Sequence, residues 1–168
     1  MKNASVVFTV LAMASAANAG LFISVNGVVS PPDSEVFLRV GEVAIIDVHS
    51  DGRTLSDGFI LTVSGPATYD ITAAVNLFIP PGYPDSIVEL APGMILLDLA
   101  LPILPPPIPP GKQIDNIKLH CDAPGDVLLT LMEWDSSVVL DRQIIHQIPE
   151  PITFALLGLG GLFLRRRK

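Results

Sequence analysis

The segment from Asp47 to Gly52 has oxygen-bearing side chains at alternate positions before a glycine, a pattern typical of the start of a calcium-binding loop. An EF-hand needs a bidentate glutamate at the twelfth position of its loop, where this chain has Gly58, so that class is excluded. A looser calcium site formed by Asp47, Asp51 and Asp57 stays open. The alternative is a solvated β-turn.

His120, Cys121 and Asp122 are consecutive and have side chains that occur in catalytic clusters. Neighbours in a strand point to opposite faces, so His120 and Cys121 are not expected to share a site. Cys121 is the only cysteine, which excludes an internal disulfide; it is either a buried small apolar residue or a point of intermolecular cross-linking. His49, His120 and His146 would converge on a metal only through the fold, and we interpret them as ordinary turn and strand residues.

Motifs for catalysis are absent from the sequence. It has no G-x-S-x-G elbow, no phosphate-binding loop, no H-E-x-x-H and no paired-cysteine zinc signature. Pairs of carboxylates do not indicate a glycosidase active site in this sequence, because a chain this acidic always contains some. Trp134, the only tryptophan, lies beside Glu133 in an alternating segment, so we expect it in the core; exposed, it could stack on a sugar. We therefore expect a protein that is not an enzyme and binds no cofactor, a calcium ion excepted.

Short apolar and alternating runs separated by glycine and proline predict an all-β chain. The 16 prolines and 13 glycines are too many for a helix bundle, and many short strands favour a two-sheet, immunoglobulin-like sandwich. The expected strands are Leu21 to Val25, Val36 to Val40, Val43 to Val48, Phe59 to Ser64, Tyr69 to Leu77, Ile87 to Leu90, Met94 to Leu99, Ile114 to His120, Val127 to Trp134 and Val138 to His146.

Two further patterns concern how the strands connect. Six prolines lie between Leu101 and Gly111, which predicts a stiff crossover between the sheets, with a ligand for a proline-recognising partner as the alternative. Residues 32–41 share six matches with residues 84–93, at an offset of 52. This echo indicates either a strand–turn–strand unit used twice or turn residues and alternation recurring by chance.

Composition and charge limit the classes of function. Of the 168 residues, 49% are hydrophobic and 16% are charged, which excludes disorder, and the length suits one domain. Residues 20–148 carry five cations and sixteen acids, a formal charge of −11. So acidic a chain is not expected to bind nucleic acid, since that requires a basic face.

The first nineteen residues have the three parts of a secretory signal peptide. Lys2 gives a positive start, residues 6–17 are mostly apolar, and Ala17 and Ala19 form a small-x-small cleavage site before Gly20. We therefore expect cleavage by signal peptidase. A buried N-terminal helix or strand is the alternative.

The C-terminal segment combines a helix stop, an apolar run and a positive block. Pro149, Glu150 and Pro151 precede the thirteen mostly apolar residues 152–164. As a helix this run is about 20 Å long, shorter than the hydrocarbon core of about 30 Å, and so typical of a temporary membrane anchor. Four cations that would stay on the cytoplasmic side follow it: Arg165, Arg166, Arg167 and Lys168.

These C-terminal features resemble the PEP-CTERM sorting tail of exported bacterial proteins, a region also catalogued as an ice-binding-protein C-terminal domain. The resemblance implies that Pro149, Glu150 and Pro151 are recognised by an exosortase and that the four cations act as the stop signal. It also implies association with biofilm or exopolysaccharide. In strand order and turn placement, residues 41–131 are similar to cohesin-like and other immunoglobulin-like bacterial modules.

Together these observations divide the chain into a signal peptide (1–19), a β-sandwich (20–148) and a sorting tail (149–168). We expect an exported, non-catalytic protein that is held briefly in the membrane by its C-terminal helix and then sorted to the cell surface or extracellular matrix. A carbohydrate- or calcium-dependent binding module is one alternative. A surface protein anchored permanently without processing is the other.

Overall fold

A computed structural model describes residues 20–52, 58–79, 86–99 and 108–149, and none of these residues is helical. The described residues form twelve strands. Their bounds are β1 (Leu21–Val25), β2 (Val28–Val29), β3 (Ser34–Arg39), β4 (Val43–Ser50), β5 (Gly58–Ser64), β6 (Ala67–Asp70), β7 (Val75–Asn76), β8 (Ile87–Ala91), β9 (Met94–Asp98), β10 (Gly111–Cys121), β11 (Gly125–Glu133) and β12 (Val139–Ile148).

The strands form two six-stranded sheets. The first has the order β2-β1-β4-β10-β6, with β7 also pairing with β10. The second has the order β3-β12-β11-β5-β9-β8. All the described pairs are antiparallel except β3 with β12, which is parallel. The predicted all-β, two-sheet architecture is confirmed.

The core lies between the sheets and is built from alternate residues of each strand. In β5, Phe59 and Leu61 point inward, and they meet inward-facing Ile95 and Leu97 of β9. Burial of one such side chain contributes about 1.5–3 kcal/mol. Since strand residues alternate between faces, every second residue is left on an outer face, and the candidate sites lie there or at the strand ends.

Apart from shifted bounds, one predicted strand is divided in the structure and one strand was not predicted. The expected strand from Tyr69 to Leu77 is divided into β6 and β7, because Asp70 accepts hydrogen bonds from the backbone N–H (2.8 Å) and hydroxyl (2.7 Å) of Thr72. Such a local bond turns the backbone away from the ladder. The two-residue β2 was not predicted; it pairs with β1 across Asn26 and Gly27, both at positive φ.

The repeated-unit interpretation of residues 32–41 and 84–93 is wrong. Their strands, β3 and β8, lie at opposite edges of the second sheet. The chain after β3 crosses to β4 in the first sheet, whereas β8 and β9 form a hairpin within one sheet. The echo reflects shared turn chemistry, since Gly41 and Gly93 both have positive φ.

The proline-rich segment connects β9 of the second sheet to β10 of the first, so the predicted crossover between sheets is confirmed. Residues 101–107 lie outside the described residues. Ile108, at the end of this segment, is buried in the core.

β12 runs from one end of the sandwich to the other. It starts after the turn at residues 134–138 and ends at Ile148, immediately before Pro149. At about 3.3 Å per residue, its ten residues separate these points by about 30 Å. Residues 1–19 and 150–168, with the predicted signal and anchor helices, lie outside the described residues. Within the described ranges, no helix has the length and apolar character needed to span a membrane.

Candidate functional site

The outer face of the first sheet carries a cluster of polar side chains on three adjacent strands. Ser24 comes from β1, Asp47 and His49 from β4, and Lys112 from β10. Asp47 is only 2% exposed although it is charged. A buried carboxylate requires a hydrogen-bonding or ionic partner for its oxygens.

Asp47 has a partner for each oxygen. Its Oδ2 lies 2.9 Å from Lys112 Nζ, and its Oδ1 accepts the Asn116 backbone N–H at 3.0 Å. Lys112 Nζ also lies 2.8 Å from Asp115 Oδ1. A bulge in β10 creates this arrangement: the register shifts between Ile114 and Ile117, and Asn116 has a φ of 66°.

The cluster shifts the pKa values of its members. Burial alone would raise the pKa of Asp47, but the hydrogen bonds from Asn116 and Lys112 outweigh it and lower that pKa. The hydrogen bonds to Asp115 and Asp47 raise the pKa of Lys112. Burial lowers the pKa of His49, which favours a neutral imidazole. Asp47 and Lys112 therefore form an ion pair at neutral pH.

Ser24, His49 and Asp47 do not form a catalytic triad. Ser24 Oγ lies 3.1 Å from His49 Nε2, but Asp47 Oδ2 lies 3.5 Å from the same serine hydroxyl instead of orienting the other ring nitrogen. Ser24 is 0% exposed, so a substrate has no access to its hydroxyl. We interpret the cluster as a polar network that holds β1, β4 and β10 together.

Asp47→Asn is expected to lower the free energy of unfolding by about 1–3 kcal/mol at pH 7, because it leaves Lys112 without its buried partner. The folded-state pKa of Asp47 is lowered, so its contribution is present above its unfolded pKa and is lost as the pH falls through the folded one. Urea unfolding at pH 7 and pH 3 measures this difference. The exposed Asp122→Asn is the control, and an Asp47→Asn effect independent of pH would contradict the ion pair.

The predicted calcium ligands are not brought together in the described part of the chain. Asp47 is bound to Lys112, Asp51 follows the end of β4 on the surface, and Asp57 lies outside the described residues. No three His, Cys, Asp or Glu side chains of the described residues are arranged to hold a metal. The Asp47, Asp51 and Asp57 set stays a prediction.

The three histidines have separate surroundings. His49 stacks on Phe22 with ring centroids 5.5 Å apart, and His146 stacks on Phe37 at 4.9 Å. His120 lies in β10, opposite Val43 of β4. All three histidines lie in strands, β4, β10 and β12.

Cys121 is buried in the core, which agrees with its interpretation as a small apolar residue. Burial raises the pKa of its thiol. The neighbouring His120 is half-buried on the opposite face, so they share no site, as predicted. The core prediction for Trp134 is wrong. β11 ends at Glu133, and Trp134 starts the following turn with 48% of its surface exposed.

A groove of about 360 Å³ opens at the sandwich end where β12 terminates. Its lining includes Val63, Gly65, Tyr69, Glu89 and Gly93. The Tyr69 hydroxyl donates to the Ala91 carbonyl oxygen (3.3 Å) and accepts the Gly93 N–H (3.2 Å), which fixes the ring. Burial and the adjacent Glu89 raise the pKa of Tyr69. We did not predict this groove; the Gly65-Pro66 and Pro92-Gly93 turns were the only signal.

The predicted processing sites directly adjoin folded strands. Gly20 is buried and immediately precedes β1, and Ala17 and Ala19 lie outside the described residues. At the other end, Gln147 of β12 is buried, and its amide donates to the Ala123 and Pro66 carbonyl oxygens. Pro149 follows without a linker. Glu150, Pro151 and the cations at 165–168 lie outside the described residues, so the roles of all these residues stay predictions.

Solved structures similar to this chain are cohesin and Reelin-N domains. CaCohA2 from Clostridium acetobutylicum is 14% identical, with a TM-score of 0.48 over 77% of this chain and 92% of that one. The Reelin-N domain of F-spondin is 10% identical, with a TM-score of 0.45 over 76% and 87%. R. flavefaciens' third ScaB cohesin, solved in complex with a group 1 dockerin, is 9% identical, with a TM-score of 0.35 over 79% and 99%.

No curated protein matches this chain in sequence. A family model described as the PEP-CTERM protein-sorting motif matches residues 147–168. The match starts at Gln147, inside β12, and includes the predicted recognition residues and the terminal cations. The chain therefore ends in a PEP-CTERM sorting motif that adjoins a two-sheet β-sandwich.

Proposed function

We propose that this protein is an exported, non-catalytic component of the cell surface or extracellular matrix that an exosortase processes at its C-terminal motif. The observation that carries the proposal is the sorting motif at residues 147–168, which begins within the last two residues of the final strand of an acidic sandwich. The tail holds the protein in the membrane until processing. The mature sandwich then associates with the surface or with exopolysaccharide.

Two observations support a role without catalysis. The polar cluster around Asp47 is occupied by its own ion pair and backbone bonds, and its serine is inaccessible. Residues 20–148 carry a formal charge of −11, which suits a component that stays soluble at high density outside the cell.

Replacing Pro149, Glu150 and Pro151 together by alanine tests the sorting step. In the native host we expect wild-type protein with a mass that runs from Gly20 to a C-terminus near Pro149, alone or with a conjugate. The triple variant should accumulate in the membrane fraction with its tail intact to Lys168. Intact mass and fractionation measure both.

The control carries alanine at Val28 and Val29, two exposed residues distant in sequence from the motif, and should be processed as wild type. Normal processing of the triple variant would contradict the proposal. A wild-type mass from Gly20 to Lys168 in the membrane fraction would instead establish a permanent anchor.

A ligand-binding module is the second candidate, and the groove beside Tyr69 favours it. An immobilised aromatic ring beside the Glu89 carboxylate, in a groove that the apolar Val63 also lines, suits a small ligand with both hydroxyl groups and an apolar face. A thermal-shift assay with calcium and with a panel of saccharides, on wild type and Glu89→Gln, tests this candidate. No shift in wild type would count against it.

A further inference from the structure

The turn between β11 and β12 exposes the only tryptophan of the chain. Trp134 starts this turn, and every residue from 134 to 139 is exposed. A tryptophan has a large apolar surface, so leaving it in water forgoes a substantial gain from burial. No step of the proposed sorting uses this residue.

Hydrogen bonds hold the turn in one conformation. The Trp134 N–H donates to the Gly58 carbonyl oxygen at 2.9 Å, and the Ser137 N–H donates to that of Glu133 at 3.1 Å. The Ser136 hydroxyl donates to the Glu133 carboxylate at 2.6 Å and accepts the Val138 N–H at 3.2 Å. The backbone beneath the indole is therefore preorganised, which reduces the entropy lost when a ligand is bound.

The surroundings of Trp134 favour a saccharide over a protein partner. The core of a protein interface is depleted in charge, whereas Glu133, Asp135, Ser136 and Ser137 adjoin this indole in sequence. Carboxylates and hydroxyls on the residues next to an exposed indole complement a pyranose, whose C–H face packs on the ring while its hydroxyls form hydrogen bonds. The charge of −11 on residues 20–148 disfavours an anionic polymer.

The turn lies at the end of the sandwich that is remote from the sorting motif. β12 separates it from Pro149 by about 30 Å, whereas the groove at Tyr69 lies at the same end as the motif. While the tail holds the protein at the membrane, the Trp134 turn is on the side that points away from the attachment point.

We propose that the Trp134 turn, residues 134–138, together with the adjoining Glu133 of β11, is a stacking site for the pyranose face of a neutral or amino polysaccharide. The biological setting of this site rests on the proposed function as a surface or matrix protein. Binding itself does not, because it can be measured on purified protein whether or not sorting occurs.

The single tryptophan makes its fluorescence a reporter of this site alone. The full chain in detergent micelles is titrated with dextran, with chitosan oligosaccharides and with anionic alginate. We expect a saturable change in Trp134 emission with dextran or chitosan and none with alginate. Affinity electrophoresis through gels containing the same polymers provides a second readout for variants without tryptophan.

Trp134→Ala is expected to weaken retardation in the binding gel about tenfold, the range of a lost hot-spot aromatic, and Trp134→Phe less. Phe37→Ala is the matched control, since Phe37 is a 62% exposed aromatic on the second sheet and should leave binding unchanged. Thermal melting of each variant checks that it is folded.

Three outcomes would overturn the inference: no emission change with any polymer, a response to alginate alone, or equal retardation of wild type and Trp134→Ala. Retardation without an emission change would place binding elsewhere, for example at the Tyr69 groove, and leave the proposed function intact. Stable capture of a protein by the wild-type turn, lost in Trp134→Ala, would replace the saccharide with a protein partner.

Discussion

Gly65→Ala is expected to lower the free energy of unfolding by more than about 3 kcal/mol, which is exceptional for the addition of one methyl group. A Cβ at this position would lie 2.3 Å from the Asp126 carbonyl oxygen and 2.9 Å from the Val127 Cα. Both are backbone atoms of β11 and cannot move without disturbing the ladder. The φ of +119° at Gly65 adds backbone strain for any L-residue. Urea or thermal unfolding measures the loss.

Gly111→Ala distinguishes the cost of backbone strain from that of a steric clash with the added Cβ. Gly111 has a φ of +121°, nearly that of Gly65, but an added Cβ would meet no atom within 4 Å. We therefore expect Gly111→Ala to lower the free energy of unfolding by the backbone strain alone, about 1–3 kcal/mol. Equal losses at both positions would show that the close approach of Gly65 to β11 contributes nothing.

Asp141→Ala is expected to destabilise the sandwich by about 2–4 kcal/mol, because it removes the acceptor of two backbone donors. Asp141 of β12 is 1% exposed and accepts the Ile23 N–H of β1 at 2.6 Å, so a side chain of the second sheet satisfies a strand of the first. It also accepts the Arg142 N–H at 2.7 Å. The Ile23 donor would remain buried and unpaired in the variant. Denaturant unfolding measures the effect.

The pH dependence of Asp141 has the opposite sign to that of Asp47. Burial outweighs the hydrogen bonds from Ile23 and Arg142 and raises the pKa of Asp141. The folded state therefore binds the proton more tightly than the unfolded chain, whose pKa is about 3.9, and stability falls as the pH rises from there through the folded pKa. Asp141→Asn should remove this fall.

Asp126→Ala is the control for the alanine variant, since this carboxylate is exposed and pairs with the side chain of His146 on the same sheet. Unchanged stability of Asp141→Ala would contradict the role of Asp141 as a link between the sheets. If the free energy of unfolding falls more steeply with rising pH in Asp141→Asn than in wild type, the pKa of Asp141 is not raised in the folded state.

Local patterns in the sequence were sufficient for most strands, because alternation and turn residues act within a few positions. The strand from Leu21 to Val25 has the predicted bounds. Trp134 shows where the local rule ends: it follows the last residue of β11, and its N–H extends the pairing with β5 by bonding to Gly58. The position of that partner depends on the pairing of β5 with β11, which one sequence does not encode locally.

The candidate sites depend on contacts between residues that are distant in the chain. Asp47 meets Lys112 only because β4 and β10 are neighbours and a bulge turns Asn116 toward the carboxylate. The Tyr69 groove likewise combines the turn after β5 with the turn between β8 and β9. Spacing in sequence carries no information on strand order across a sheet. The C-terminal sorting motif was recognisable because it is contiguous in sequence.

The position of β12 also determines how the protein responds to force. A load applied between the tail and the Trp134 turn runs along this one strand, which is paired with β11 on one side and with β3 on the other. Because both ends of this load lie on β12, the covalent backbone of one already extended strand carries it, and the hydrogen bonds to β11 and β3 are not sheared. A sandwich tethered by its tail and pulled at its far end thus keeps its other strands out of the path of the load.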